Sequence, residues 1–138
     1  MSDLNNALTI SSYGMKAQSA RIKVISENVA NSDTTGLTPG SDPYARKTIT
    51  FKNVMDREMD ARMPEVEKIS QDKKTPFTEK YMPDHPAADA AGMVKMPNVN
   101  PLVELMDMRE AQRSYEANLG MMEQSRNMMN QTIDLMRR

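Results

Sequence analysis

Residues 100–136 read NPLVELMDMREAQRSYEANLGMMEQSRNMMNQTIDLM, and the spacing within this stretch decides the fold. Leu105, Met108, Gln112, Tyr115, Leu119, Met122, Arg126, Met129, Ile133 and Met136 recur at alternating intervals of three and four, one seam of a heptad helix. Asn100-Pro101 places a capping side chain before a proline at the first helical position, where the missing N–H costs nothing. Glu104, Asp107 and Glu110 fall early and Arg137 and Arg138 last, the order the helix dipole favours. Glu110 with Arg113, Arg113 with Glu116, and Glu123 with Arg126 are spaced to pair along the exposed side.

The other end repeats the pattern. No proline interrupts Leu4 to Val29, and a seam runs Leu4, Leu8, Ser11, Met15, Gln18, Ile22, Ile25, Val29. A second stripe, Ile10, Ala17 and Val24, repeats every seven residues. Ser2 or Asp3 is placed to cap the first free N–H groups, and the turn formers from Asn31 to Gly36 are expected to end the helix.

Between the helices the chain is irregular. Residues 32–100 hold all but one of the 8 prolines. Tyr44 to Phe51 (YARKTITF) alternates and is rich in β-formers, which predicts a strand. Val66–Ser70 and Phe77–Tyr81 are weaker strand candidates, and Met82–Pro97 reads as an extended loop. The expected fold is mainly α. Long N- and C-terminal helices form an α-helical coiled coil from residues 1–31 and 101–138, and a small β-containing insertion spans 32–100.

Composition narrows the function. Leu, Ile, Val and Phe together fall below the roughly 20% at which disorder becomes a concern, yet the net charge is only −1. The 15 methionines refill the apolar inventory with flexible side chains suited to irregular packing surfaces. With no Trp and 2 Phe, a rigid core is hard to build, and the chain reads as marginal alone. There is no cysteine for disulfide or thiolate chemistry, no secretory leader pattern and no membrane-spanning apolar run. Eighteen basic residues balance 19 acidic ones, which gives no electrostatic footprint for nucleic acid. The lone His85, with Asp84 and Asp89 nearby, reads as a loop residue rather than a metal ligand, and no phosphate-cradling motif occurs. The expectation is no enzyme, no cofactor, no metal and no small-molecule substrate.

The helices carry more apolar surface than one hairpin hides. At ~1.5 Å per residue the first is about 40 Å long and the second about 54 Å, so the shorter cannot cover the longer. In the second, apolar residues come in adjacent pairs: Met121 with Met122, Met128 with Met129, Leu135 with Met136. Neighbours lie ~100° apart around a helix, so each pair spans two faces. A helix apolar on several flanks is usually buried among several partners. The large apolar members of these seams and stripes, without Ala17, are therefore the candidate assembly interface. Polar Ser11, Gln18, Gln112 and Arg126 either fix register or mark an imperfect seam.

With these residues in view, SSYGMKAQSARIKVISENVANSDTTG (11–36) resembles the signature shared by flagellar rod and hook axial proteins. Its marks are Gly14, Ala17-Gln18, Arg21, Asn28, Ala30-Asn31 and the Thr-Thr-Gly turn at 34–36. The stretch from Pro97 to Met136 is similar to the matching C-terminal element, most tellingly at Asn98-Val-Asn-Pro101 and Tyr115-Glu-Ala-Asn118. HPAADAAGMVKMPNVNP (85–101) looks like the proximal-rod branch, the FlgC type. Ser32-Asp33 and Arg126 depart from the usual pattern, and residues 37–82 match only loosely. The resemblance implies an inner coiled-coil domain from the two ends and a small outer domain from the middle. It further implies export through the flagellar type III apparatus without a cleaved signal, and a periplasmic rod that transmits torque. The implied partners are copies of itself, rod proteins of the FlgB, FlgF and FlgG types and the FliE-type adaptor, with the membrane ring as a further candidate. The alternative reading is a soluble two-helix adaptor or chaperone-like protein that holds a partner helix on its Met-rich face.

Overall fold

The computed structural model describes residues 2–57 and 60–137. Helix α1 spans Ser2–Ala30 and helix α2 spans Pro101–Met136. Between them lie strands β1 (Lys47–Asp56), β2 (Ala61–Gln71), β3 (Thr78–Tyr81) and β4 (Met93–Met96). β1 pairs with β2 in one two-stranded sheet, and β3 pairs with β4 in another. The chain packs as two compact units. One holds residues 1–22, 50–68 and 109–138; the other holds 23–49 and 69–108.

The helix ends follow from local chemistry. Asn100 Oδ1 accepts from the backbone N–H of Leu102 at 3.1 Å, so the predicted cap opens α2. α1 stops where Asn31 Nδ2 donates to the Glu27 carbonyl at 2.8 Å and Thr34 Oγ1 sits 3.1 Å from Asn31 Oδ1. Just beyond, Gly36 runs so close to the chain that an added Cβ would lie 2.8 Å from the Ser41 carbonyl oxygen. Backbone blocks that position, so the Thr-Thr-Gly turn requires its glycine.

The insertion departs from expectation in two places. β1 starts at Lys47 rather than Tyr44, because Tyr44–Arg46 is spent on other partners. Tyr44 N–H donates to the Thr34 carbonyl at 3.0 Å, and Arg46 N–H donates to Asn98 Oδ1 at 2.7 Å. The stretch 82–97 is not all loop: Met93–Met96 forms β4, antiparallel to β3, with Thr78 opposite Met96 and Tyr81 opposite Met93. Val94 on that strand is fully buried. The turn before it is tied by Asp89, whose Oδ1 accepts from Ala91 N–H at 2.8 Å and Met93 N–H at 2.9 Å. The weaker candidates are present as well, with 66–70 inside the longer β2 and 78–81 as β3.

The core is thin. Among the described residues its buried apolar members are Ala17, Val24, Ile25, Met63, Ala87, Val94 and Ala111, and the largest fully buried side chain is Glu104. A fold whose deepest large side chain is a glutamate leans on polar geometry rather than hydrophobic volume.

Candidate assembly surface

The contacts that seat α2 come first, because they decide which faces are left over. In one unit, an added Cβ on Gly14 would lie 2.8 Å from Asn118 Nδ2, and Arg21 Nη2 lies 3.8 Å from Glu110 Oε2. α1 numbers rise as α2 numbers fall, so the helices are antiparallel there. The α2 face turned inward is marked by Glu104, Ala111 and Ser125, all buried, with half-buried Asn118 on the same row. These positions repeat every seven residues and sit one place before the predicted row of Leu105, Gln112, Leu119, Arg126 and Ile133. Small side chains let the backbones approach. The polar ones satisfy themselves: Ser125 Oγ donates to the Met121 carbonyl at 2.9 Å and Asn118 Nδ2 to the Ser114 carbonyl at 2.9 Å.

Placing the inner seam on small residues leaves the large ones outside. Met108, Tyr115, Met122 and Met129 are half-buried beside the seam. Leu105, Leu119 and Ile133 are exposed on one flank. Met121, Met128 and Leu135 are exposed on the other flank, Leu135 by 73%, and Met136, at the end of the Met122 and Met129 row, is exposed on the last turn. In α1, Val24 and Ile25 are buried, Leu4, Leu8, Met15, Ile22 and Val29 are half-buried, and Ile10 is exposed. Leu102, Val103 and Met106 add exposed apolar area at the start of α2 that the seam reading did not single out.

The second unit, which also buries Val24, Ile25, Ala87 and Val94, holds a polar hub. Asn28, buried on α1, uses every group it has. Its Nδ2 donates to the Lys47 carbonyl at 2.8 Å and to Glu104 Oε2 at 3.1 Å. Its Oδ1 accepts from Lys47 N–H at 2.8 Å and from Tyr44 O–H at 2.9 Å. The Lys47 backbone fixes which way the amide points, since its N–H needs an acceptor and its carbonyl a donor. Arg46 Nε donates to Glu104 Oε1 at 2.6 Å. Asn98 accepts from Arg46 N–H and donates to the Asp72 and Thr75 carbonyls at 3.2 and 3.0 Å. Burial, aided by Glu27 and Glu104 against the opposing pull of Lys47, raises the Tyr44 phenol above its usual value.

Lys47 Nζ also pairs with Glu27 Oε2 at 2.8 Å, which raises Lys47 and lowers Glu27 from its ordinary 4.5. The Glu27 contribution is therefore present above that ordinary value and is lost as pH falls through the lowered one.

His85 is fully employed in its turn. Nδ1 accepts from Ala87 N–H at 3.1 Å, and Nε2 lies 3.4 Å from Thr35 Oγ1. Among the described residues no group of three or more His, Cys, Asp or Glu is placed to hold a metal ion, and no helix is long and apolar enough to cross a membrane.

Comparison with known proteins supplies the family. Residues 8–38 match the family described as "Flagella basal body rod protein", and residues 90–135 match "Flagellar basal body rod FlgEFG protein C-terminal". The flagellar basal-body rod protein FlgC of Agrobacterium fabrum is 47% identical over 137 residues, covering 99% of this chain and 98% of its own. The chain belongs to the FlgC family of flagellar basal-body rod proteins. FlgC of Bacillus subtilis is 32% identical, covering 94% of this chain and 96% of its own, and FlgC of Salmonella typhimurium is 35% identical, covering 96% and 97%.

FlgC-family marks noticed in the sequence now have physical jobs. Asn28 is the hub, Asn98 joins three backbone segments, Asn100 caps α2, and Asn118 fills the space Gly14 leaves. Glu104 and Arg46 were not singled out as a pair. Glu104 passed for a dipole acid, although a glutamate heading a row of Ala111, Asn118 and Ser125 is out of place on a solvent face. Gly14 yields a prediction. A leucine there must displace Asn118, whose bond to Ser114 breaks when it moves. Gly14→Leu is expected to cost about 1–3 kcal/mol, the range for overpacking. Asn118→Ala in the same chain should recover part of it, read as urea-unfolding midpoints.

Proposed function

We propose that this structural subunit of the flagellar basal-body rod contributes α1 and α2 to an inner coiled-coil tube, with residues 32–100 as an outer segment. The observation that carries the reading is that the inward row of α2 is made of small and polar residues, which leaves two apolar flanks exposed. One flank holds Leu105, Leu119 and Ile133, and the other holds Met121, Met128 and Leu135. Two different flanks suit contact with two different neighbours, the condition for an open helical assembly rather than a closed pair. Apolar stripes of this extent are a liability on a lone chain and an asset between helices.

As a rod-family member the chain assembles with other rod proteins in the basal body. On the finer reading it sits in the proximal, periplasmic rod. There it contacts its own copies, rod proteins of the FlgB, FlgF and FlgG types, the FliE-type adaptor and the membrane ring. It is exported by the type III apparatus without cleavage and passes torque along a stiff tube. It carries no catalytic residue, cofactor or nucleic-acid site in this role.

The test is a pair of flank charges. Leu119→Glu and Met121→Glu lie outside the seam and are expected to change chain stability by less than about 0.5 kcal/mol, as surface substitutions do. In cells lacking the native copy they should nevertheless reduce purified basal bodies at least ten-fold. Wild-type basal-body numbers from both variants would contradict the reading.

A further inference from the structure

We propose that Met121, Met128 and Met136 form an oxidation site, at which a hydroperoxide converts exposed thioethers to sulfoxides and so removes the chain from the pool able to assemble. Its consequence for assembly rests on the rod reading above; its chemistry does not.

Three observations point to it. Met121 and Met128 are 57% and 39% exposed on one flank of α2, and Met136, which ends the row of Met122 and Met129, is 66% exposed on the last turn, whereas Met122 and Met129 are half-buried against the seam; Met55 and Met106, 48% and 61% exposed, lie away from this stretch. The chain has no cysteine, so no thiol diverts the oxidant before it reaches a thioether. Leucine would fill the same space with inert atoms, and Leu135 does so between Met128 and Met136.

In the reaction the sulfur lone pair attacks one peroxide oxygen. An S–O bond forms as the O–O bond breaks. Sulfur is oxidised by two electrons, and the second oxygen takes the proton from the first and leaves as water when the oxidant is hydrogen peroxide, or as an alcohol when it is an organic hydroperoxide. The product carries a strong S–O dipole on a flank that must shed its water against a neighbouring helix. Without a donor across that contact the dipole opposes burial. The apolar flank becomes a wet one.

The experiment uses cells lacking the native copy and expressing either the wild-type chain or the Met121→Leu/Met128→Leu/Met136→Leu variant. A short sublethal hydrogen peroxide pulse accompanies induction, catalase ends it, and basal bodies and the unassembled pool are then purified. The pulse is expected to lower wild-type basal bodies at least two-fold and leave the variant unchanged. Peptide mass spectrometry should find sulfoxide at 121, 128 and 136 enriched in the unassembled wild-type pool over 122 and 129. An equal fall in both strains, no fall in either, or oxidation spread evenly over all five methionines would overturn the proposal. Should the triple variant build no rods unpulsed, Met121→Leu is scored alone: partial protection supports the site, and none overturns it. A wild-type chain that enters no basal bodies without peroxide would instead overturn the rod reading.

Discussion

Glu104→Ala is expected to destabilise the chain by about 3 kcal/mol, the lower end of the range for breaking a buried ion pair. The glutamate is fully buried and accepts from Arg46 Nε at 2.6 Å and Asn28 Nδ2 at 3.1 Å. Truncation leaves a guanidinium and an amide facing a void. The Arg46 side chain retains 28% exposure, so water reaches part of it, which holds the loss to the lower end. Against a total of roughly 5–15 kcal/mol for a typical domain, and less for a core this thin, that is a large share. Glu104→Gln keeps the volume and one acceptor and should lose about half as much. Urea unfolding followed by circular dichroism separates the three chains. A Glu104→Ala chain as stable as wild type would show that the hub is ornamental.

Asn28→Ala should cost a similar amount, about 3 kcal/mol, by a different route. Four groups lose a partner together: the Lys47 N–H, the Lys47 carbonyl, the Tyr44 hydroxyl and Glu104 Oε2. Each unsatisfied buried group costs about 1–3 kcal/mol, but Tyr44 and Lys47 are only half-buried and recover water. The two substitutions share one network, so they should not add. A chain carrying both should be more stable than the two single losses imply by roughly 0.5–3 kcal/mol. Strict additivity would mean that Asn28 and Glu104 act independently, and the hub would not be one unit.

The residues that were hard to read explain how far the sequence goes. Both helices, the Asn100 cap and the strand near Thr48 were legible, because periodicity and capping are local signals. One of the two rows of the α2 seam, that of Leu105, Gln112 and Leu119, lies one position past the buried row, while Met108, Tyr115, Met122 and Met129 of the other are half-buried. Hydropathy favours the largest apolar residues for the inside, and here Ala111, Asn118 and Ser125 take the inside because they are small. β4 lay hidden among prolines, since Met93–Met96 becomes a strand only through its partner Thr78–Tyr81, a pairing set by the fold. The hub was half visible. Asn28 and Asn98 stood out as marks of resemblance, whereas Glu104 and Arg46 are 58 positions apart and nothing local joins them.

In the assembled rod, neighbours are expected to cover the apolar flanks outside the α2 seam. The absence of native cysteine makes it directly measurable. Single cysteines at Leu119 and Met121 would be tested with a water-soluble maleimide in the isolated chain and in purified basal bodies, with Ala111→Cys as the buried reference. Both positions are expected to label fast in the isolated chain and to be protected in basal bodies to the level of position 111. Equal labelling of 119 and 121 in both preparations would contradict that coverage.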